Sequence, residues 1–139
     1  MKRTRNPRKL SGAKSVLIVD DNPAIRHVVS QAFRSDGFAV CGEADDGRQA
    51  IKLAKQVTPD LIILDLSMPV MNRLEAAPEL RKIAPKASII LSTMFANEFS
   101  ADQASQIGID LVISKTEALS SVLSKASSLI RPGSGHRGP

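Results

Sequence analysis

Five residues of this chain have the types and the placing to do chemistry together: Asp20, Asp21, Asp65, Thr93 and Lys115. Each closes or directly follows an apolar run. Val16-Leu17-Ile18-Val19 leads into the acid pair, Leu61-Ile62-Ile63-Leu64 into Asp65, Ile89-Ile90-Leu91 towards Thr93, and the stretch Ile109 to Ser114 into Lys115. Three carboxylates gathered in one place repel one another, so such a cluster either acquires raised pKa values or holds a cation. A hard divalent ion with oxygen ligands relieves the repulsion. Mg²⁺ suits a site with few carboxylates, where water or phosphate oxygens fill the other positions. An ammonium and a hydroxyl beside the acids suit a phosphoryl group: metal and Lys115 neutralise its charge, Thr93 binds one of its oxygens, and a carboxylate can attack phosphorus.

Those residues meet only if the apolar runs are strands that end on one edge. The runs are short, bounded by turn chemistry and apolar on every residue, as strands buried on both faces require; pattern alone leaves a buried helix segment open for the stretch before Asp65. Between them lie helical periods. After Asn22-Pro23, a cap and first-turn pair, Ile25, Val28, Val29, Ala32 and Phe33 mark one helix face. A strand over 38–44 follows. Asp45-Asp46-Gly47 opens a second helix with Ala50, Leu53, Ala54 and Val57 inward. Leu74, Ala77, Leu80 and Ile83 mark a third, which Pro78 is expected to interrupt near its start and Ala84-Pro85 to stop. The strand over 87–93 is followed by a sparse helix over 96–107, expected to be the least firmly packed element. A strand over 109–114 and a helix through Ile130 complete the pattern. Five repeats of strand then helix argue for a parallel sheet with right-handed crossovers and helices on both faces, whose ligand crevice lies beyond the C-terminal ends of the strands.

A chain of 139 residues is expected to form one such domain. It divides into a basic arm over 1–14, a folded unit over 15–130 and a Gly/Pro-rich tail or linker start over 131–139. The net charge of +5 belongs to the two ends: 1–14 carry six basic groups and no acid, 131–139 carry Arg131 and Arg137, and the residues between hold eleven basic against fourteen acidic groups. Without a recognition helix or aromatic platforms, direct nucleic-acid binding is not expected. No apolar run approaches a membrane span, and the basic start lacks a signal-peptide core, so no membrane association and a cytoplasmic location are expected. The lone Cys41 reads as a small buried hydrophobe on a strand. His27 falls on the polar side of its helix and His136 in the tail, and neither reads as a phosphorelay histidine.

From Ser15 to about Ile130 the sequence resembles the receiver domain of two-component response regulators. It is similar in particular to receivers of the branch with helix-turn-helix outputs. Val19-Asp20-Asp21, Asp65-Leu66-Ser67-Met68-Pro69, Ser92-Thr93 and Ser114-Lys115 carry the resemblance, in that order and each at a strand end. The resemblance implies a flavodoxin-like sheet of order 2-1-3-4-5. It implies that Asp65 accepts a phosphoryl group from a sensor histidine kinase or phosphotransfer protein. Asp21, Asp65 and the Ser67 carbonyl would bind Mg²⁺, with Asp20 holding a metal-bound water, and Thr93 and Lys115 would engage the phosphoryl group. Such a chain is a switch that catalyses only its own phosphorylation and dephosphorylation, and its further partners would be an output domain or protein and a second copy of itself.

The sequence also departs from the family pattern. Arg73 stands where glycine is usual, so the local backbone is expected to be less permissive or to take a different turn. Val112 replaces a common aromatic, which puts the usual hydroxyl-aromatic coupling in doubt, and Leu111 replaces a small residue. Thr116 follows the lysine in place of proline, which weakens the expectation of a cis peptide. Two other readings stand beside the switch. One is a degenerate receiver serving as a constitutive interaction module. The other is a phosphatase of haloacid-dehalogenase type, which wants a second aspartate where Ser67 stands.

Overall fold

The computed structural model describes residues 13–65, 70–94, 96–98 and 100–130. Nearly all of the arm over 1–14, the tail over 131–139 and Ser67 lie outside the described residues.

Five strands alternate with helices along the chain. They are β1 (Ser15–Asp20), α1 (Pro23–Ser35), β2 (Ala39–Ala44), α2 (Gly47–Val57), β3 (Leu61–Asp65), α3 (Val70–Ile83), β4 (Ser88–Thr93), a single 3₁₀ turn (Ala96–Glu98), α4 (Ala101–Gln106), β5 (Leu111–Ser114) and α5 (Leu119–Ile130). All strand pairs are parallel and the order is β2-β1-β3-β4-β5, so the fold is the expected flavodoxin-like one. Every residue of the central strands β1, β3 and β4 is buried. Their pleat sends alternate side chains to opposite faces, and each face has its own core. Leu17, Val19, Ile62, Leu64, Ile89 and Leu91 pack with Ala50, Ala54, Ala76, Ala77, Leu80 and Ala104 of α2 to α4. Val16, Ile18, Leu61, Ile63, Ile90 and Ile113 pack with Val29, Phe33, Val122 and Ala126 of α1 and α5.

Small residues let α2 and α3 come close. A Cβ on Gly47 would stand 2.8 Å from the Cβ of Ala76, nearer than real carbon atoms approach, so the first residue of α2 must be glycine. At the edge opposite the strand C-termini, Arg81 of α3 acts as a fork. Its guanidinium donates to the carbonyls of Pro85, Ala87 and Gly108 at 3.1, 2.7 and 3.0 Å and to Asp110 Oδ2 at 2.6 Å, an oxygen that also accepts from Ile89 N at 2.8 Å. Gly108, at φ +90°, makes the turn that this fork grips.

Three elements differ from expectation. Helix α1 buries Val29, Ser30 and Phe33, but Ile25 and Val28 are 44% and 55% exposed. The helix starts immediately beyond the end of β1, so its first turns stand at the rim of the sheet, not over its face. Pro78 does not interrupt α3 near its start: the helix runs from Val70 through Ile83 with proline inside it. The backbone hydrogen bond that proline removes is offset by burial of Ala76, Ala77 and Leu80 against the sheet. The expected helix over 96–107 is a 3₁₀ turn followed by the six-residue α4, which starts at a Ser100/Gln103 capping box. Phe99, expected as one of its apolar points, lies outside the described residues. No helix among the described residues is long and apolar enough to cross a membrane.

Candidate functional site

Strands β1 and β3 are neighbours, and their register pairs Asp20 with Asp65 at the last rung. Asp20 continues the alternating row of Val16 and Ile18, and Asp65 that of Leu61 and Ile63, so both carboxylates emerge on the same side of the sheet edge. Both residues are buried. The loop after β1 then fixes Asp20. Asn22 N donates to Asp20 Oδ1 at 2.9 Å, while Asn22 Oδ1 caps α1 by accepting from Ala24 N and Ile25 N at 3.0 and 3.1 Å. Asp20 Oδ2 is left buried without a hydrogen-bond partner among the described residues, and so is Asp65 Oδ1.

Lys115 approaches from the other side. Strand β4 lies between β3 and β5, and Lys115 spans its end: the backbone N–H donates to Thr93 O at 3.0 Å, and Nζ stands 3.0 Å from Asp65 Oδ1. The ammonium meets that oxygen as a charge at close range, with angles outside those of a hydrogen bond. Only a long side chain reaches across a strand width, roughly 5 Å, to place a cation there.

Burial, first of all, pushes the Asp20 carboxyl up to about 7, and the Asp65 carboxylate beside it acts in the same direction. The Asn22 N–H and the Lys115 charge oppose the rise without cancelling it. The site therefore contains one acid that resists ionisation and a second that is paired with an ammonium.

Asp20, Asp65 and Lys115 are thus brought together. Asp21 is exposed at the outer lip of the crevice. Thr93 is buried at the end of β4, on the rung where β4 pairs with Ser114 of β5. The Ser67 carbonyl lies outside the described residues. Among the described residues no three carboxylate, imidazole or thiol groups converge into a ready metal cage. Asp20 Oδ2, buried without a hydrogen-bond partner among the described residues, and the Asp65 carboxylate beside it nevertheless fit a cation that takes few protein ligands and keeps its waters.

The departures also find their places. Arg73 lies within α3, and Thr58 is the sole non-glycine with positive φ among the described residues, so a helical backbone replaces the permissive turn. Val112 is half-buried against the core of α2 to α4 and lines an open groove of 510 Å³ together with Ala96, Ala101 and Ala104. No described peptide is cis. After Lys115 the loop is closed by hydroxyls: Thr116 N donates to Ser114 Oγ at 3.1 Å, and the two hydroxyl oxygens are 2.7 Å apart. Beyond it, the Lys125 ammonium and the Ser121 hydroxyl hold the Glu117 carboxyl below its ordinary range.

The sequence reading missed Arg26. Its Nη1 donates to the carbonyl of Asp20 at 2.7 Å and its Nε to Glu43 Oε1 of β2 at 3.2 Å. A signal was there, because a cation in the opening turns of a helix runs against the macrodipole and needs another partner.

Comparison with known proteins agrees with this fold. The family model for the response regulator receiver domain matches residues 16–127. A putative transcriptional regulator of Pseudomonas aeruginosa is 37% identical over 83% of this chain and 56% of its own length, so the chain spans little more than half of that relative. Chemotaxis protein CheY of Thermotoga maritima is 36% identical over 68% of this chain and 79% of its own. Among solved structures, a response regulator protein from Burkholderia pseudomallei with a phosphorylated aspartic acid, calcium ion and citrate superposes with a TM-score of 0.71. It is 26% identical, over 91% of this chain and 75% of that one.

Proposed function

Because this chain belongs to the response regulator receiver domain family of two-component signalling, we propose that it is a phosphorylation-controlled switch whose acceptor is Asp65. The observation that carries the reading is the last rung of β1 and β3, where Asp20 and Asp65 face one crevice and Lys115 stands on the Asp65 oxygen. The Burkholderia relative, with its phosphorylated aspartic acid and calcium ion, supports the same chemistry at a site of the same fold.

In the proposed reaction an Asp65 carboxylate oxygen attacks the phosphorus of a phosphohistidine on a sensor kinase or phosphotransfer protein. A P–O bond forms, the P–N bond breaks, and the imidazole leaves with its electron pair and takes a proton from solvent. Asp21, Asp65 and the Ser67 carbonyl would hold Mg²⁺, with Asp20 holding a water bound to it. Bound there, the ion supplies positive charge to the phosphoryl oxygens during transfer. Lys115 positions the Asp65 oxygen before the reaction and pairs with the added negative charge after it. Thr93 offers a hydroxyl to one phosphoryl oxygen at the end of β4. The domain is a substrate and catalyst of its own modification, not an enzyme turning over external substrates.

Residues 15–130 form the receiver in this reading, with the arm and tail outside it. The new charge is read out on the surface of α4 and β5, which then favours a different partner, a second copy or an output domain. Incubation with a small-molecule phosphodonor and Mg²⁺ should give a phosphoryl mass gain that is absent in Asp65→Ala. No gain, under conditions that label another receiver, sinks the proposal.

Val112 favours a second reading, a receiver that serves as a constitutive interaction module. A valine half-buried against the core has no second position for a ring to occupy. Phosphorylation without any change in oligomeric state or in the amide spectrum of α4 and β5 would support that reading over the switch.

A further inference from the structure

The arginine at the start of α1 touches the peptide group that links the two acids at the end of β1. Asp20 O, which accepts from Arg26 Nη1 at 2.7 Å, belongs to the peptide plane between Asp20 and Asp21. A guanidinium held on that carbonyl restrains ψ of Asp20 and φ of Asp21, the two torsions that adjoin both acidic side chains. Arg26 is in turn held from β2 by Glu43 at 3.2 Å, with the side chains of the pair 20% and 33% exposed. The turn has other fastenings, since Asn22 N takes Asp20 Oδ1 and Arg26 N closes onto Asn22 O at 2.9 Å. These fix the carboxyl group of Asp20 and the start of the helix. The guanidinium adds a fastening on the Asp20 carbonyl.

We propose that Arg26, anchored by Glu43, is a positioning residue for the cation site: it locks the peptide plane between Asp20 and Asp21 so that the orphaned Asp20 oxygen faces Asp65. The proposal rests on the reading of this crevice as a Mg²⁺-dependent phosphoryl site. Arg26 touches neither metal nor phosphoryl group; it acts through the backbone of the residues that would. A planar fork can grip a carbonyl and a carboxylate at once, whereas an ammonium reaches the carbonyl as a single point.

Calorimetric titration of Mg²⁺ into the unphosphorylated protein tests this without any turnover. Arg26→Gln should raise the Mg²⁺ Kd about ten-fold, the loss usual when a partner behind a metal ligand is removed. The melting temperature in chelator should fall by no more than a few degrees, as for a partly exposed ion pair. Arg26→Lys should recover part of the affinity, because charge and one donor remain while the two-point grip is lost. An unchanged Kd in Arg26→Gln overturns the proposal. So does a Kd that rises only in step with lost stability and is not recovered by lysine, because that marks a plain strut between α1 and β2. If Arg26→Gln does not fold, Glu43→Gln, which weakens the anchor and leaves the grip on Asp20, decides by the same measurement: a raised Kd supports the proposal and an unchanged one overturns it. Wild-type protein that binds no Mg²⁺ removes the proposed function and this inference together, whereas normal wild-type binding with unaffected variants overturns this inference alone.

Discussion

Asp20 carries the tension of the site in a single side chain. In the folded protein it keeps its proton up to about pH 7, while in the unfolded chain it releases it near the ordinary 3.8. Between those values the native state holds more protons than the unfolded state, so rising pH costs native stability. Asp20→Asn removes that cost while keeping shape and size. Without divalent cations, the variant should be more stable than wild type at pH 8 by on the order of 1–3 kcal/mol, the penalty of a buried unsatisfied group, with the gain vanishing towards pH 4. Chemical denaturation across that range checks it, and a variant no more stable at pH 8 contradicts the account. The acids and the lysine were legible in the sequence because each ends an apolar run, and strand ends on one edge must meet. Arg26 was not, since a charge near a helix start reads as solvated until the carbonyl it grips is seen.

At the scale of elements, apolar period indicates which side of a helix is greasy but not where the sheet beneath it stops. Ile25 and Val28 belong to the same stripe as Val29 and Phe33, and only the docking of α1 separates the covered pair from the exposed one. Pro78 shows the converse: a local breaker is overruled when the turns around it have a face to bury. The close crossing of α2 and α3 at Gly47 was equally invisible, because glycine after Asp45-Asp46 reads as a turn residue. Gly47→Ala places a methyl where the Ala76 methyl already stands, and it should lower unfolding free energy by about 1–3 kcal/mol. Equilibrium denaturation measures this. Combining it with Ala76→Gly should restore much of the loss, and if it does not, the crossing is not the cause.

For the molecule as a whole, stability is expected to be unequal across the sheet. Strands β1, β3 and β4 are covered on both faces, whereas β5 is half-buried and α4 is only six residues long. Amide hydrogen exchange should therefore be slowest in the three central strands and clearly faster in α4 and β5, where local opening precedes global unfolding; uniform protection would count against this division. The order of strands and helices was legible throughout, since it depends on period and turn residues. What was not legible is how firmly each piece is fastened, because that depends on contacts distant in sequence. Arg81 is the clearest case, tying the turn at Gly108 to α3 and to the start of β4. Mechanically, that fork pins the C-terminal side of α4, at the sheet edge away from the crevice. Local opening of α4 is therefore expected to begin at its Ala101 end and not at the end that Arg81 holds.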